Sequence, residues 1–288
     1  MKAGSRFKTY RHGAWTLSVL LENWGKESWA AVLERIDALS AAKHPQTLEI
    51  DLPGTEAHCF LKVFHSASGA GAFKDFFRVS KAVRALRAGE ALREAGFNVA
   101  RTIAAGEERR RGVLRRAFLL TTAMQGAPLP AFLRDNYGTD RRRRSFSLKV
   151  DSIRRLAAEI RRLHDLGFVH GDLIPPNILV VTEEGSAPRF CFLDNDRTRR
   201  YPAWLPQQLW KRNLIQLNRF PLAGISLQDR IRFFHFYTGR QKLLPRDVRL
   251  ARWFEARTRR RRKECDAIDV SGSFRALMQW RPPLSAGS

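Results

Sequence analysis

Cysteine is scarce in this chain: Cys59, Cys191 and Cys265 are the only three, an odd number without CxxC spacing. That count excludes a disulfide framework and a cysteine-rich zinc site, and fits packing thiols in a reducing compartment. Long hydrophobic runs are missing too. No segment approaches the roughly 18 consecutive apolar residues of a membrane-spanning helix. The best apolar run near the start, residues 14–21, holds Thr16 and Ser18, ends at Glu22 and lacks a small-residue cleavage site. The expectation is no signal peptide, with any membrane contact peripheral. No internal repeat is visible, which excludes a solenoid.

Acidic residues also run short, 28 Asp and Glu against 52 Lys and Arg, so 288 residues carry a formal charge of +24. A surplus of that size calls for an anionic partner: nucleic acid, an acidic membrane surface, or a phosphorylated or carboxylated substrate. What is plentiful marks a folded protein, with 44% apolar residues and seven Trp against 28% charged. Basic clusters at 109–111, 141–144 and 259–263 read as solvated faces or loops.

Periodicity divides the chain. Trp29, Val32, Leu33, Ile36 and Leu39 recur at helical spacing, so 28–39 is an amphipathic helix. Residues 48–51, the turn Pro53-Gly54 and residues 57–64 read as strand, turn, strand. A helix over 73–95 stops at Gly96, and 99–104 with 113–122 gives two more strands around a charged turn. After Pro128 and Pro130 the pattern turns helical, with a stripe at Ile153, Leu156, Ala157, Ile160 and Leu163 ending near Gly167. A hairpin over 178–181 and 190–193 follows, and beyond Trp204 the chain reads as helical. This is an α+β arrangement of two lobes, β-rich first and mainly helical second, with the boundary near 123–130 and a cleft between the lobes as the expected ligand site. The expected organisation is 1–44 as an N-terminal extension with the amphipathic helix, 45–125 as the first lobe and 126–288 as the second.

Between the striped helix and the hairpin stands His170-Gly171-Asp172-Leu173-Ile174-Pro175-Pro176-Asn177, and the hairpin runs out into Leu193-Asp194-Asn195-Asp196-Arg197. Phosphoryl transfer needs a carboxylate beside the acceptor hydroxyl and oxygen ligands for Mg²⁺ on the nucleotide phosphates. Asp172, Asn177 and Asp194 supply that set. The five-residue offset from Asp172 to Asn177 equals that of the kinase loop HRDLxxxN, with Gly171 in place of Arg, and Asp194 stands where a DFG aspartate would. A phosphate-binding lysine belongs on a strand of the first lobe, where Lys62 lies within Cys59-Phe60-Leu61-Lys62-Val63-Phe64. Its expected ion-pair partner is a Glu of the following helix, and Glu90 and Glu94 are the candidates.

The stretch from about Lys62 to Phe236 resembles the lipopolysaccharide kinase family of bacterial sugar kinases. The resemblance rests on HGDLIPPNILV at 170–180, FLDNDRTR at 192–199, AGFNVARTIAAGE at 95–107 and DRIRFFHFYTG at 229–239. It implies a protein-kinase-like fold using ATP and Mg²⁺. By the same resemblance Asp172 is the catalytic base, Asn177 and Asp194 are the metal ligands, Lys62 is the phosphate lysine and His170 supports the catalytic loop. Asp196 and Arg197 match the family's DxDR-like signature. The chain departs from the wider pattern in lacking GxGxxG, and eleven residues before Gly96, where relatives often carry the helix Glu, stands Ala85. Glu90 is then the choice for the Lys62 pair.

The implied activity is phosphorylation of Kdo or heptose in the lipopolysaccharide inner core, on Kdo-lipid A or a heptosylated precursor. The implied location is cytoplasmic, peripheral on the inner membrane of a Gram-negative bacterium. There the positive charge meets an anionic bilayer, at about 1 kcal/mol for each basic residue near the surface. Arg230 and Arg232, on a helix otherwise apolar, are further candidates for a substrate anion. An aminoglycoside-type phosphotransferase shares HGD and the later Asp, but a cationic substrate suits an acidic pocket. A pseudokinase or anion-binding protein is the remaining alternative, and no specific nucleic-acid motif is visible.

Overall fold

The computed structural model describes residues 7–20, 24–39, 45–53, 58–66, 79–137, 143–183, 186–202, 209–220, 222 and 224–266. Gly54 of the expected turn, residues 73–78 of the expected long helix, and the side chains of the 141–144 cluster, Arg262, Lys263 and Cys265 lie outside that description. The chain divides into two compact units, Met1–Gln125 with Asp194–Arg197, and Gly126–Leu193 with Thr198–Ser288.

The first unit is built on a six-stranded antiparallel sheet. Its strands are β1 (Phe7–His12), β2 (Trp15–Leu20), β3 (Gln46–Asp51), β4 (His58–His65), β5 (Thr102–Arg110) and β6 (Val113–Thr122), in the spatial order β1-β2-β5-β6-β4-β3. Strand alternation sets one face inward: Trp15, Leu17 and Val19 of β2 and Cys59, Leu61 and Val63 of β4 are buried. Helix α1 (Lys26–Asp37) lays Val32 and Ile36 on that face, with Trp24, Trp29 and Leu33 around them. Residues 7–20 therefore supply two strands, and α1 the cover, of the same sheet that carries Lys62. Arg116 holds these pieces together: its guanidinium bonds the buried Glu108 at 2.6 Å and Asp37 of α1 at 2.7 Å, and lies 5.5 Å over the Trp15 ring.

Helix α2 (Lys81–Glu94) starts at Ser80, whose hydroxyl accepts from the Val83 N–H at 3.2 Å. The Ser80 N–H in turn donates to Glu107 of β5 at 2.7 Å, fixing where the helix begins. Ala82, Ala85, Leu86 and Leu92 form its buried stripe.

The second unit is mainly helical: α3 (Leu129–Tyr137), α4 (Arg143–Asp165), α5 (Trp210–Leu217), α6 (Leu227–Thr238) and α7 (Pro245–Asp266). Short strands β7 (Ala127–Pro128), β9 (Ile178–Val181) and β10 (Arg189–Phe192) form one small sheet, and β8 (Phe168–Val169) pairs with β11 (Arg199–Arg200). The stripe expected on α4 is the buried one, with Ala157, Ile160 and Leu163 fully covered. The chain leaves α4 through Gly167 at φ 83°, where a Cβ would lie 2.2 Å from the Tyr201 carbonyl oxygen, so only glycine fits this close approach. Cys59 and Cys191 are buried thiols, and burial, then the nearby Asp51, raises the Cys59 pKa. Among the described residues no helix is long and apolar enough to cross a membrane.

A buried ion pair fastens α6 to α4. Asp229 closes the capping box of α6 with Ser226 and pairs with Lys149 of α4 at 2.5 Å and with Arg232 at 2.8 Å. The Asp229 side chain is 2% exposed and that of Lys149 15%, so removing the acid leaves a covered ammonium without its partner. Asp229→Ala is expected to lower unfolding free energy by about 3 kcal/mol in urea titrations. The double change Asp229→Leu with Lys149→Met is expected to recover most of that loss. A double variant as unstable as the single one would show that the pair is not what fastens the helices.

Candidate active site

The loop after β8 is held from several sides at once. His170 is fully buried; its Nε2–H donates to the Leu193 carbonyl at 2.9 Å, and its own carbonyl accepts from the Thr198 hydroxyl at 3.1 Å. Gly171 takes φ 78°, the left-handed region that glycine enters without a Cβ penalty, and this turns the chain so that Asp172 follows on the outside of the bend. A 3₁₀ turn over Pro175–Asn177 then brings Asn177 back, its Nδ2 donating to the Asp172 carbonyl at 3.0 Å. The Asn177 carbonyl accepts from the Leu193 N–H at 2.9 Å. Asp172 and Asn177 are thus positioned by one closed circuit of side-chain and backbone hydrogen bonds.

Asp194, next in the chain, belongs to the first unit and sits at φ 56°, a left-handed conformation uncommon for a residue with a side chain. Such conformations cost on the order of 1–3 kcal/mol and persist where surrounding contacts hold them. For Asp194 the contact is Lys62: its Nζ lies 2.6 Å from Asp194 Oδ1, both groups about a quarter to a third exposed. Strand alternation puts Lys62 and Phe64 on the face of β4 opposite the α1 core, and Nζ also lies 5.5 Å over the Phe64 ring. Asp196, two residues on, is half-buried. Burial and then the Asp194 charge raise its pKa, against the pull of Lys62, Arg197 and Lys81.

The expected Lys62 to Glu90 pair is not what the structure holds. Glu90 takes Arg93 of its own helix in two hydrogen bonds, at 2.5 and 3.3 Å, while Lys62 takes Asp194. One helical turn accounts for this: residues three apart share a face, and a guanidinium fork within reach satisfies the carboxylate locally. Ala85 is buried and offers no acid in its place. Arg232, expected as a candidate for a substrate anion, is committed to Asp229 and lies 5.1 Å over the Phe146 ring.

Sequence reading missed the support beneath the loop. Asn213 of α5 is fully buried, and its Oδ1 accepts from the His170 N–H at 3.0 Å and from His164 Nε2–H at 3.1 Å. The Tyr237 hydroxyl donates to His164 Nδ1 at 2.9 Å. Gln216, one turn after Asn213, accepts from Asn213 Nδ2 at 3.1 Å and donates to the Gly171 carbonyl at 2.9 Å and to Asp172 Oδ1 at 3.4 Å. The sequence signal was an Asn and a Gln three apart on a short amphipathic helix that also carries Lys211 and Arg212.

His164 is buried as the neutral imidazole this network needs, and burial lowers its pKa to about 4, against a partial upward pull from the Asn213 bond. A free imidazole binds its proton near pH 6.5, so between pH 6.5 and 4 the unfolded chain holds a proton that the folded one does not. Stability from this group is complete above pH 6.5 and falls as the pH drops through that window, by up to about 3 kcal/mol. Melting curves from pH 7 to 4 are expected to be flatter for His164→Gln than for the parent chain; equal slopes would remove His164 from the acid response.

Residues 65–237, more than half of the chain, match the lipopolysaccharide kinase (Kdo/WaaP) family. A structure of WaaP in complex with acyl carrier protein is similar, with a TM-score of 0.59 and 20% identity over 79% of this chain and 91% of that one. The kinase domain of Mycobacterium tuberculosis PknI matches more loosely, with a TM-score of 0.37 and 13% identity over 85% of this chain and 79% of that one. A search of curated proteins found no match. The α+β protein-kinase-like fold expected from the sequence holds, β-rich in its first part and mainly helical in its second. With the HGD loop, Asn177 and Asp194 all inside the matched span, the chain belongs to the lipopolysaccharide kinase (Kdo/WaaP) family.

Proposed function

We propose that the protein transfers the γ-phosphoryl group of ATP to a hydroxyl of a Kdo or heptose residue in the lipopolysaccharide inner core. The observation that carries this reading is the closed circuit holding Asp172 and Asn177, in a chain whose family is defined by such kinases. Asp172 acts as general base: it takes the proton of the acceptor hydroxyl as that oxygen bonds to the γ-phosphorus and the bond to the bridging oxygen of ADP breaks. Lys62 neutralises nucleotide phosphate charge, exchanging its present partner Asp194 for the phosphates. His170 supports the loop and stays out of proton transfer.

The donor set suits Mg²⁺. Asp194 offers a carboxylate and Asn177 an amide oxygen, both hard oxygen ligands, and Mg²⁺ takes one or two such groups and draws the rest from phosphates and water. When bound, Mg²⁺ would supply charge neutralisation at the transferring phosphate. Asp196 and Arg197, beside Asp194 in the chain, complete the local charge balance.

The acceptor is an inner-core precursor, Kdo-lipid A or its heptosylated form, and the basic surface meets it on the cytoplasmic face of the inner membrane, where anionic lipids and the acceptor attract the same charge. The positive charge that supports this acceptor disfavours a cationic antibiotic.

Asp172→Ala is expected to lower kcat at least about 100-fold while MgATP still raises the melting temperature. For Asp194→Ala the MgATP-dependent rise itself should disappear. Near-normal turnover in the first variant would remove Asp172 as general base, and an unchanged MgATP shift in the second would remove Asp194 as metal ligand.

A further inference from the structure

Arg212, Ile215, Gln216 and Arg219 follow one another at offsets of 3, 4 and 7, and so share one face of α5 and its C-terminal end. Arg257, Arg260 and Arg261 repeat the offsets 3 and 4 on α7. The two faces meet around a pocket of about 320 Å³ lined by those seven residues, with no carboxylate among them. Arginine cannot shed its proton, so the guanidiniums of Arg212 and Arg257, one from each helix, stay charged whatever the pH. Arg257 is further steadied over the Trp253 ring at 5.5 Å.

A solvated helix face also carries arginines; what distinguishes this one is its wall. Gln216 lines the pocket and, through the same amide, bonds the Gly171 carbonyl and Asp172 Oδ1. The pocket and the proposed general base are therefore separated by one side chain, within one unit.

We propose that this pocket binds a phosphate group already present on the acceptor, fixing the acceptor in the second unit beside Asp172; this rests on the kinase reading above. A carboxylate engages one guanidinium fork, whereas a phosphate monoester is close to dianionic and offers three oxygens to several forks, which matches arginines brought from two helices. The volume falls at the lower end of the ~300–1,000 Å³ of small-molecule sites, so the pocket has room for part of the sugar that carries the phosphate. The nucleotide phosphates are not its ligand, since Lys62 of the first unit is assigned to them.

The test uses the full chain, the double variant Arg212→Gln with Arg257→Gln, and Arg155→Gln, an exposed arginine of α4, as a control for lost charge. Inorganic phosphate without magnesium is expected to raise the melting temperature of the parent and control but not of the double variant. With a short-chain, soluble, phosphorylated core acceptor, KM is expected to rise at least tenfold in the double variant with kcat retained. With the dephosphorylated acceptor, parent and double variant should have the same KM. Phosphate stabilisation retained in the double variant would overturn the proposal. So would an equal KM rise on the dephosphorylated acceptor, or a rise confined to acceptor embedded in anionic vesicles, which would assign the arginines to bilayer phosphates. If the parent phosphorylates neither acceptor yet phosphate stabilisation is lost in the double variant, the pocket stands as a phosphate site and the kinase reading falls.

Discussion

One buried amide oxygen organises the second unit. Asn213 has no exposed surface, and its Oδ1 accepts both the His170 N–H and the His164 imidazole N–H, so helix α5, helix α4 and the HGD loop share a single acceptor. Losing it would leave two covered donors unsatisfied, each costing about 1–3 kcal/mol. Because the oxygen is reached from both sides, the loop is not free to shift without breaking the link to α4, and His170 in turn holds the strand end at Leu193. Asp172 and Asn177 are held by this chain of bonds together with their own, from Asn177 Nδ2 to the Asp172 carbonyl and from Gln216 to Asp172 Oδ1. Buried networks of this kind specify one arrangement when every member is satisfied.

The parts of this fold that could be read from sequence are those whose pattern is local. The α4 stripe, the β9 and β10 hairpin and the α1 face each follow from spacing within about sixteen residues, and the HGD loop from four residue types at fixed offsets. What escaped is what depends on distant partners. Residues 15–20 alternate as a strand should, yet their membership in the sheet is decided by pairing with β5, with Leu17 opposite Gly106. Glu90 illustrates the converse: a carboxylate on the right helix pairs with Arg93 three residues away and not with Lys62. Asn213 and Gln216 carry no motif at all, because a buried polar residue is recognised by what surrounds it.

Charge has the same double character. Many of the cations are spent inside the fold, where Arg116 binds Glu108 and Asp37, Lys149 and Arg232 bind Asp229, and Arg240 binds Asp247. The net excess nevertheless remains, because acids number barely half of the bases. Arginines of α5 and α7 line one pocket, whose Gln216 also bonds the loop that carries Asp172.

The reaction proposed for this chain is transfer of phosphate from ATP to an inner-core sugar. The most direct measurement incubates the full chain with γ-labelled ATP, Mg²⁺ and either Kdo-lipid A or heptosylated core, and locates the label by tandem mass spectrometry. The expected product is a glycolipid one phosphate heavier, with the label on a core sugar hydroxyl and ADP released in equal amount. ATP binding without label in either glycolipid, or label only in inorganic phosphate, would contradict it.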